Sequence, residues 1–195
     1  ILSAAKNSKH LKKMVYAASS STYGDNKEIP KIEGNEGKPI SPYAITKLVN
    51  ELYAEIFSKV YNFHTIGLRY FNIFGPNQSP NGAYAAVIPL FCKAFHENKR
   101  PKIFGDGKTS RDFTFVENAV QANIKAIFAN NIKFHKVFNV ACGKSFSLNE
   151  IIKMLEKISN KNIKPIFLDE RSGDIKNSLA DISQLKSFCN YLKKL

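Results

Sequence analysis

The stretch "SPYAITKLVNELYAEIFSKVYNFHTIGLRYFNIFG" (residues 41–75) contains a helix followed by a buried strand, and its reading decides the fold. Ser41 suits a helix N-cap, and Pro42 suits the first helical position, where its missing N–H is no loss. Ile45, Val49, Leu52, Ile56 and Val60 recur at helical spacing, which predicts an amphipathic helix running to about Tyr61. "HTIGLRYF" is then a continuous apolar run of strand length, ending near Phe71. Working backwards, "MVYAAS" (14–19) reads as another buried strand, separated from the helix by the polar loop 20–40. Strand, helix and strand in that order form a βαβ unit, which implies parallel pairing and a right-handed crossover.

The remaining chain continues the α/β alternation. A helix is expected over roughly 85–98 despite Pro89, then two short strands around a Gly-rich turn in "PKIFGDGKTSRDFTFV" (101–116). "ENAVQANIKAIFANN" reads as a helix, "KVFNVAC" as a strand, and "SLNEIIKMLEKISN" as a helix whose Ser147 and Glu150 have capping-box spacing. "IKPIFLDE" and "DISQLKSF" supply a further strand and a short last helix. Residues 1–13 resemble the back half of an amphipathic helix, so the sequence reads either as a fragment or as a small domain of unusual kind.

Composition narrows the function. With 195 residues, 44% of them hydrophobic, the chain can bury a real core. No apolar run approaches the ~20 residues of a membrane helix, and no signal peptide is visible. Three cysteines without a C-x-x-C pattern point to a reducing cytoplasm, and four histidines without ligand spacing predict no metal site. The net charge of +13 comes mostly from scattered lysines; Arg69, Arg100, Arg111 and Arg171 are the only arginines. Scattered charge without a motif is a poor nucleic-acid footprint, so nucleic acid is not expected as a partner.

Tyr43 and Lys47 lie four residues apart and therefore share a helix face. Taken alone, the pair reads as a surface tyrosine beside a solvated lysine. Four ordered stretches change that reading: "AASSSTYGD" (17–25), "SPYAITK" (41–47), "RYFNIFGP" (69–76) and "GDGKTSRDF" (105–113). In this order and spacing they resemble the extended short-chain dehydrogenases/reductases of the NAD-dependent epimerase/dehydratase family. The wording "SSSTYGD" and "NGAYAAVIP" (81–89) is most similar to the UDP-N-acetylglucosamine 4-epimerase group.

The resemblance implies an α/β fold: the C-terminal part of a Rossmann-like parallel sheet with a smaller substrate domain. Residues 1–80 would complete the NAD-binding domain and 81–195 would mainly hold the nucleotide sugar, with some segments returning to the sheet. It also implies roles. A phenol is a poor base at neutral pH, whereas an adjacent ammonium favours phenolate. Tyr43 would thus accept a proton from a sugar hydroxyl while Lys47 also holds the nicotinamide ribose. Ser19, at a strand end where ligands bind in open α/β sheets, would hydrogen-bond the reacting hydroxyl, unless it merely ends the strand. Ser21 would line the sugar pocket.

Asn72 would contact the diphosphate and sugar, and Tyr70 and Phe71 would pass the nicotinamide, with plain packing an equal reading for either aromatic. Ala86 and Val87 would hold the nucleotide through backbone groups at a helix start. Lys102, Ile103 and Phe104 would flank the uracil. Arg111 and Arg171 would grip the UDP phosphates, or else form surface ion pairs, and Asp174 would bind the uridine ribose. Ser178 would leave room for an N-acetyl group, its alternative being a helix cap. Two departures are visible. Dehydratases and decarboxylases of the superfamily place an acidic residue just after the Ser-Thr segment, where this chain reads Ser21-Thr22-Tyr23-Gly24; and no glycine-rich NAD fingerprint is present. The implied activity is 4-epimerisation of UDP-N-acetylhexosamine with NAD, and the implied assembly is a homodimer through the helix at 41–61. The alternatives are a nucleotide-sugar dehydratase or decarboxylase, and a non-catalytic nucleotide-sugar-binding remnant. The segment by itself is expected to be inactive.

Overall fold

In a computed structural model of the chain, residues 1–81, 85–130, 133–170 and 176–191 are described. After a short helix α1 (Leu2–Asn7), strand β1 (Lys13–Ser19) leads through a 3-10 turn (Ser20–Tyr23) and a long loop into α2 (Pro42–Tyr61). The Ser41 hydroxyl accepts from the Ala44 amide at 3.1 Å, so α2 starts where the Ser-Pro pair directs. It ends at Asn62, whose left-handed φ of 51° suits an asparagine. β2 (His64–Tyr70) then returns parallel to β1, pairing Ala18 with Arg69 and Ser19 with Tyr70. The βαβ unit is present as the sequence predicts.

Strands β3 (Ile73–Phe74), β4 (Lys102–Phe104), β5 (Ser110–Arg111) and β6 (Thr114–Phe115) are short, with α3 (Val87–His96) before β4 and α4 (Val116–Phe128) after β6. The stretch 101–116 therefore holds three short strands rather than two, because Asp112 and Phe113 interrupt the pairing. α3 is shorter than the expected 85–98. β7 (His135–Val140) comes back from far along the chain to pair parallel with β2, giving the sheet order β1-β2-β7. β2 is central, and Thr65 to Arg69 are buried on it. Ile66, Leu68, Phe138 and Val140 pack with Phe71, Tyr23 and the small residues Ala119, Ala122 and Ala126 of α4. Small side chains let that helix lie close to the sheet.

The second part of the structure is built on β8 (Phe146–Ser147), α5 (Leu148–Ser159) and β9 (Ile166–Leu168), while the last helix α6 (Ser183–Cys189) packs back on the main core through Leu185. β9 pairs parallel with β4, and β8 pairs antiparallel with β5. Phe91 and Phe95 of α3, Ile103 of β4 and Ile152 of α5 form a separate small core. The capping box at Ser147 and Glu150 is formed. No helix among the described residues is long and apolar enough to cross a membrane.

Helix α2 meets the sheet through its small residues. Its apolar stripe does not face the sheet: Ile45, Val49, Leu52, Ile56 and Val60 are 39–64% exposed. The buried positions are Ala44, Glu51, Ala54 and Ser58. Periodicity identified the helix and its amphipathic character, while small residues and one charged residue make the inward contacts.

Candidate active site

The strand ends carry the candidate site. Ser19 closes β1 beside Tyr70 of β2, and the following turn is held by its own polar groups. The Ser19 hydroxyl accepts from the Ser21 amide at 3.2 Å, and the Thr22 hydroxyl donates to the Ser19 carbonyl at 2.8 Å. Gly24 ends the turn at φ 52°, and a Cβ there would lie 1.8 Å from the Lys38 carbonyl oxygen. Only glycine lets loop 20–40 fold back so closely. Within this turn the Ser21 hydroxyl oxygen is buried without a hydrogen-bond partner among the described residues. A buried hydroxyl left open in this way is suited to receiving a ligand group.

Helix α2 brings Tyr43 and Lys47 to the same place. Ala44 is fully buried and seats the first turn of the helix. The Lys47 amine donates to the Ala17 carbonyl at 3.0 Å, two residues before Ser19, and lies 5.7 Å from the centre of the Tyr43 ring. Tyr43 itself is 56% exposed, so its phenol is open to a ligand. The end of β1 thus gathers an ammonium fixed on the strand, an accessible phenol and two serines.

A second group gathers around Asn72, which stands at φ 40° just after β2. Its side-chain amide donates to the Asp112 carbonyl at 3.0 Å and to the Ser178 hydroxyl at 3.4 Å. Ser178 is buried, and its amide donates to the Ser110 carbonyl at 3.1 Å. It does not cap α6, whose first amides are served instead by Asp181 accepting from Ser183 at 2.7 Å. Arg111 follows on β5, with Nη1 donating to the Ser110 carbonyl at 3.0 Å and to the Lys176 carbonyl at 3.4 Å. Arg171 and Asp174 lie outside the described residues.

The remaining candidates are placed less directly. Phe71 is wholly buried in the main core beside Tyr23. Tyr70 packs against that core and its hydroxyl accepts from Asn123 at 2.7 Å, with burial raising its pKa. Both side chains therefore pack at the strand end. Ala86 is the N-cap of α3 and Val87 its first residue, with no side-chain cap; the first amides of a helix have no intrahelical acceptor. Ile103 is fully buried in the small core, while Lys102 is exposed and Phe104 half-buried on the same strand.

Two residues escaped the sequence reading. Asp112 is fully buried. Its carboxylate accepts from the amides of Cys142 and Gly143, both at 2.9 Å, and of Ala180 at 3.3 Å. It therefore ties the end of β7 and the segment carrying Ser178 to the strand carrying Arg111. Arg69 is the other. Its Nε and Nη2 donate to the two oxygens of Glu51 at 2.9 and 2.6 Å, and Nη1 pairs with Glu36. Burial opposes the guanidinium's charge, but Glu51, Tyr23 and Glu36 outweigh it and hold its pKa above the usual arginine value. Burial also pushes the Tyr23 phenol up to about 12. A charged residue inside an otherwise apolar strand was the available signal for Arg69; nothing local signalled the long-range contacts of Asp112.

The chain belongs to the NAD dependent epimerase/dehydratase family, whose profile matches residues 1–141. A solved UDP-N-acetylglucosamine 4-epimerase from Methanobrevibacter ruminantium M1, in complex with UDP-N-acetylmuramic acid, superposes with a TM-score of 0.92 at 41% identity, covering 98% of this chain and 60% of that one. UDP-glucuronic acid 4-epimerase from Bacillus cereus, solved with UDP-glucuronic acid and NAD, gives a TM-score of 0.89 at 31% identity, covering 100% of this chain and 60% of its own. The UDP-glucuronate 4-epimerase of Thermodesulfobacterium geofontis is 32% identical, covering 93% of this chain and 54% of its own. The chain thus spans somewhat more than half the length of these relatives. It has the Rossmann-like epimerase fold, and NAD is the cofactor of its family.

Replacing Asp112 by Asn puts an amide donor against amide donors. The Asp112→Asn variant should lose about 2–3 kcal/mol of stability, as expected for a buried charged acceptor. Denaturant unfolding checks this; a loss below ~0.5 kcal/mol would remove Asp112 as the tie.

Proposed function

We propose that the protein carrying this chain is a nucleotide-sugar 4-epimerase that interconverts UDP-GlcNAc and UDP-GalNAc. The observation that supports this best is the Lys47 amine anchored to Ala17 with the accessible phenol of Tyr43 beside it at the end of β1. Epimerisation at C4 requires a proton to leave the sugar hydroxyl and later to return. Tyr43 moves that proton, Ser19 hydrogen-bonds the same hydroxyl, and Ser21 offers its open hydroxyl to the sugar. Lys47 keeps the phenol's surroundings positive and holds the nicotinamide ribose. NAD, when bound, supplies the oxidation and re-reduction of the sugar carbon. Asn72 and Arg111 serve the diphosphate on this reading, with Arg171 and Asp174 as further nucleotide ligands.

The turn Ser20–Tyr23 contains no carboxylate, which argues against the dehydratase and decarboxylase alternative. Residues 1–80 belong on this reading with the NAD-binding domain, and 81–195 mainly with the nucleotide sugar, β7 being a segment that returns to the sheet. The protein acts in the cytoplasm as a homodimer. The outward apolar stripe of α2 supports the dimer, since an exposed contiguous apolar face marks an interaction surface.

Three measurements test these points. In the full-length enzyme Tyr43→Phe should lower the epimerisation rate by about 10²–10⁴-fold while UDP-sugar binding persists; a rate within a few-fold of wild type would reject Tyr43. Ser178→Tyr should cut kcat/KM for UDP-GlcNAc far more than for UDP-glucose, because exclusion by a bulky group acts through clash; an unchanged ratio would take Ser178 out of the sugar pocket. Ile56→Glu should convert a dimer to monomer in sedimentation, and an unaltered mass would move the interface elsewhere.

A further inference from the structure

Tyr43, Lys47 and Glu51 stand at successive four-residue steps on α2, so one helix stripe carries the phenol, the ammonium and a carboxylate. Lys47 and Glu51 are opposite charges within reach of each other. Yet the Lys47 amine donates to Ala17, and Glu51 gives both its oxygens to Arg69. Arg69 and Glu51 have side chains only 4% and 7% exposed. A carboxylate in such a setting without a cation is strongly disfavoured, and pairing with a cation it can reach or taking up a proton relieves it.

We propose that Arg69 is a positioning residue that keeps Glu51 from capturing Lys47. By filling both oxygens of Glu51 in a fork-to-fork contact, it leaves the amine on the Ala17 carbonyl, beside Tyr43 and next to the strand end. Its geometry suits the task. Arg69 sits opposite Ala18 in the β1–β2 register, between Ala17 and Ser19 along β1. Its third contact, to Glu36, ties loop 20–40 to the same charge. The planar guanidinium can make both contacts at once, which a lysine ammonium cannot do in that geometry.

Other cations do not replace it. His135 borders the same hollow, but its Nδ1 is engaged with the Thr65 hydroxyl at 2.8 Å. Lys136 is exposed on the rim and would have to give up its hydration. Lys47 is one helical turn from Glu51 and is already half-buried. Once Arg69 is removed, Lys47 is the cation placed to move, and its departure takes the positive charge away from Tyr43.

The proposal rests on the reading of Tyr43 and Lys47 given above, and its test separates the two. In the full-length enzyme, Arg69→Met should lower kcat by about ten- to hundred-fold, within the range ascribed to acid–base groups, while KM for the UDP-sugar changes less than three-fold, roughly. Adding Glu51→Gln should restore kcat to within about five-fold of wild type, because no carboxylate remains to capture the lysine. Glu51→Gln alone should retain near-normal kcat. A crystal structure of Arg69→Met should show the Lys47 amine paired with Glu51 instead of the Ala17 carbonyl. If Arg69→Met does not fold, the neutral Arg69→Gln with and without Glu51→Gln makes the same comparison. A purely structural strut would give a different pattern: the double variant would be no faster than Arg69→Met, or kcat per folded molecule would not change. Either result, or a Lys47 still bound to Ala17 in the variant, overturns the proposal. A wild-type enzyme lacking epimerase activity would instead refute the functional reading, with the lysine's position still deciding this one.

Discussion

A single guanidinium inside the sheet meets both the helix and the loop that flank the candidate site. Arg69 lies on the central strand, binds α2 through Glu51, and binds loop 20–40 through Glu36. Tyr23, at the end of the serine turn, places its ring 4.9 Å from the same guanidinium. Moving a charge from water into a sheet is costly, and a buried pair is weak evidence for stability as such. What the arrangement does achieve is to close one carboxylate. A bidentate contact fixes distance and orientation together and occupies both oxygens of Glu51, so no other cation can take them.

That contact matters because the proposed functional groups come from elements far apart in the chain. Ser19 ends one strand, Tyr43 and Lys47 belong to the helix after a long loop, and Asn72 follows the next strand. Polar contacts rather than apolar packing join them. Lys47 reaches Ala17, Asn72 reaches Asp112 and Ser178, and Asp112 reaches the amides of Cys142, Gly143 and Ala180. Hydrogen bonds to charged groups are the stronger ones and lose most when one partner is removed. The site is therefore a network whose members depend on one another, consistent with a ligand spread over both parts of the structure.

Helix α2 shows where pattern reading succeeds and where it fails. A spacing of three and four residues between apolar side chains is a property of the helix and survives in any environment. Which stripe faces the sheet is a property of the surroundings. Here Ala44, Ala54 and Ser58 approach the strands closely because they are small, and Glu51 joins them because Arg69 receives it. The larger apolar residues are left outside, available to another surface. Hydrophobic periodicity assumes that the apolar side of a helix faces the core, and close packing by small residues breaks that assumption here.

The sequence by itself determined the βαβ order, the capped start of α2, and the placing of Tyr43 beside Lys47, because each follows from contacts within a few residues. It also carried the four ordered motifs through which the family could be read. Only the tertiary structure decided that Asp112 ties three segments, that Ser178 stands against Asn72 rather than capping α6, and that Arg69 occupies Glu51. Those pairings join residues from 18 to 106 positions apart. No local rule of spacing or propensity reaches so far; the partners meet only when the parallel sheet has brought its strand ends to one edge.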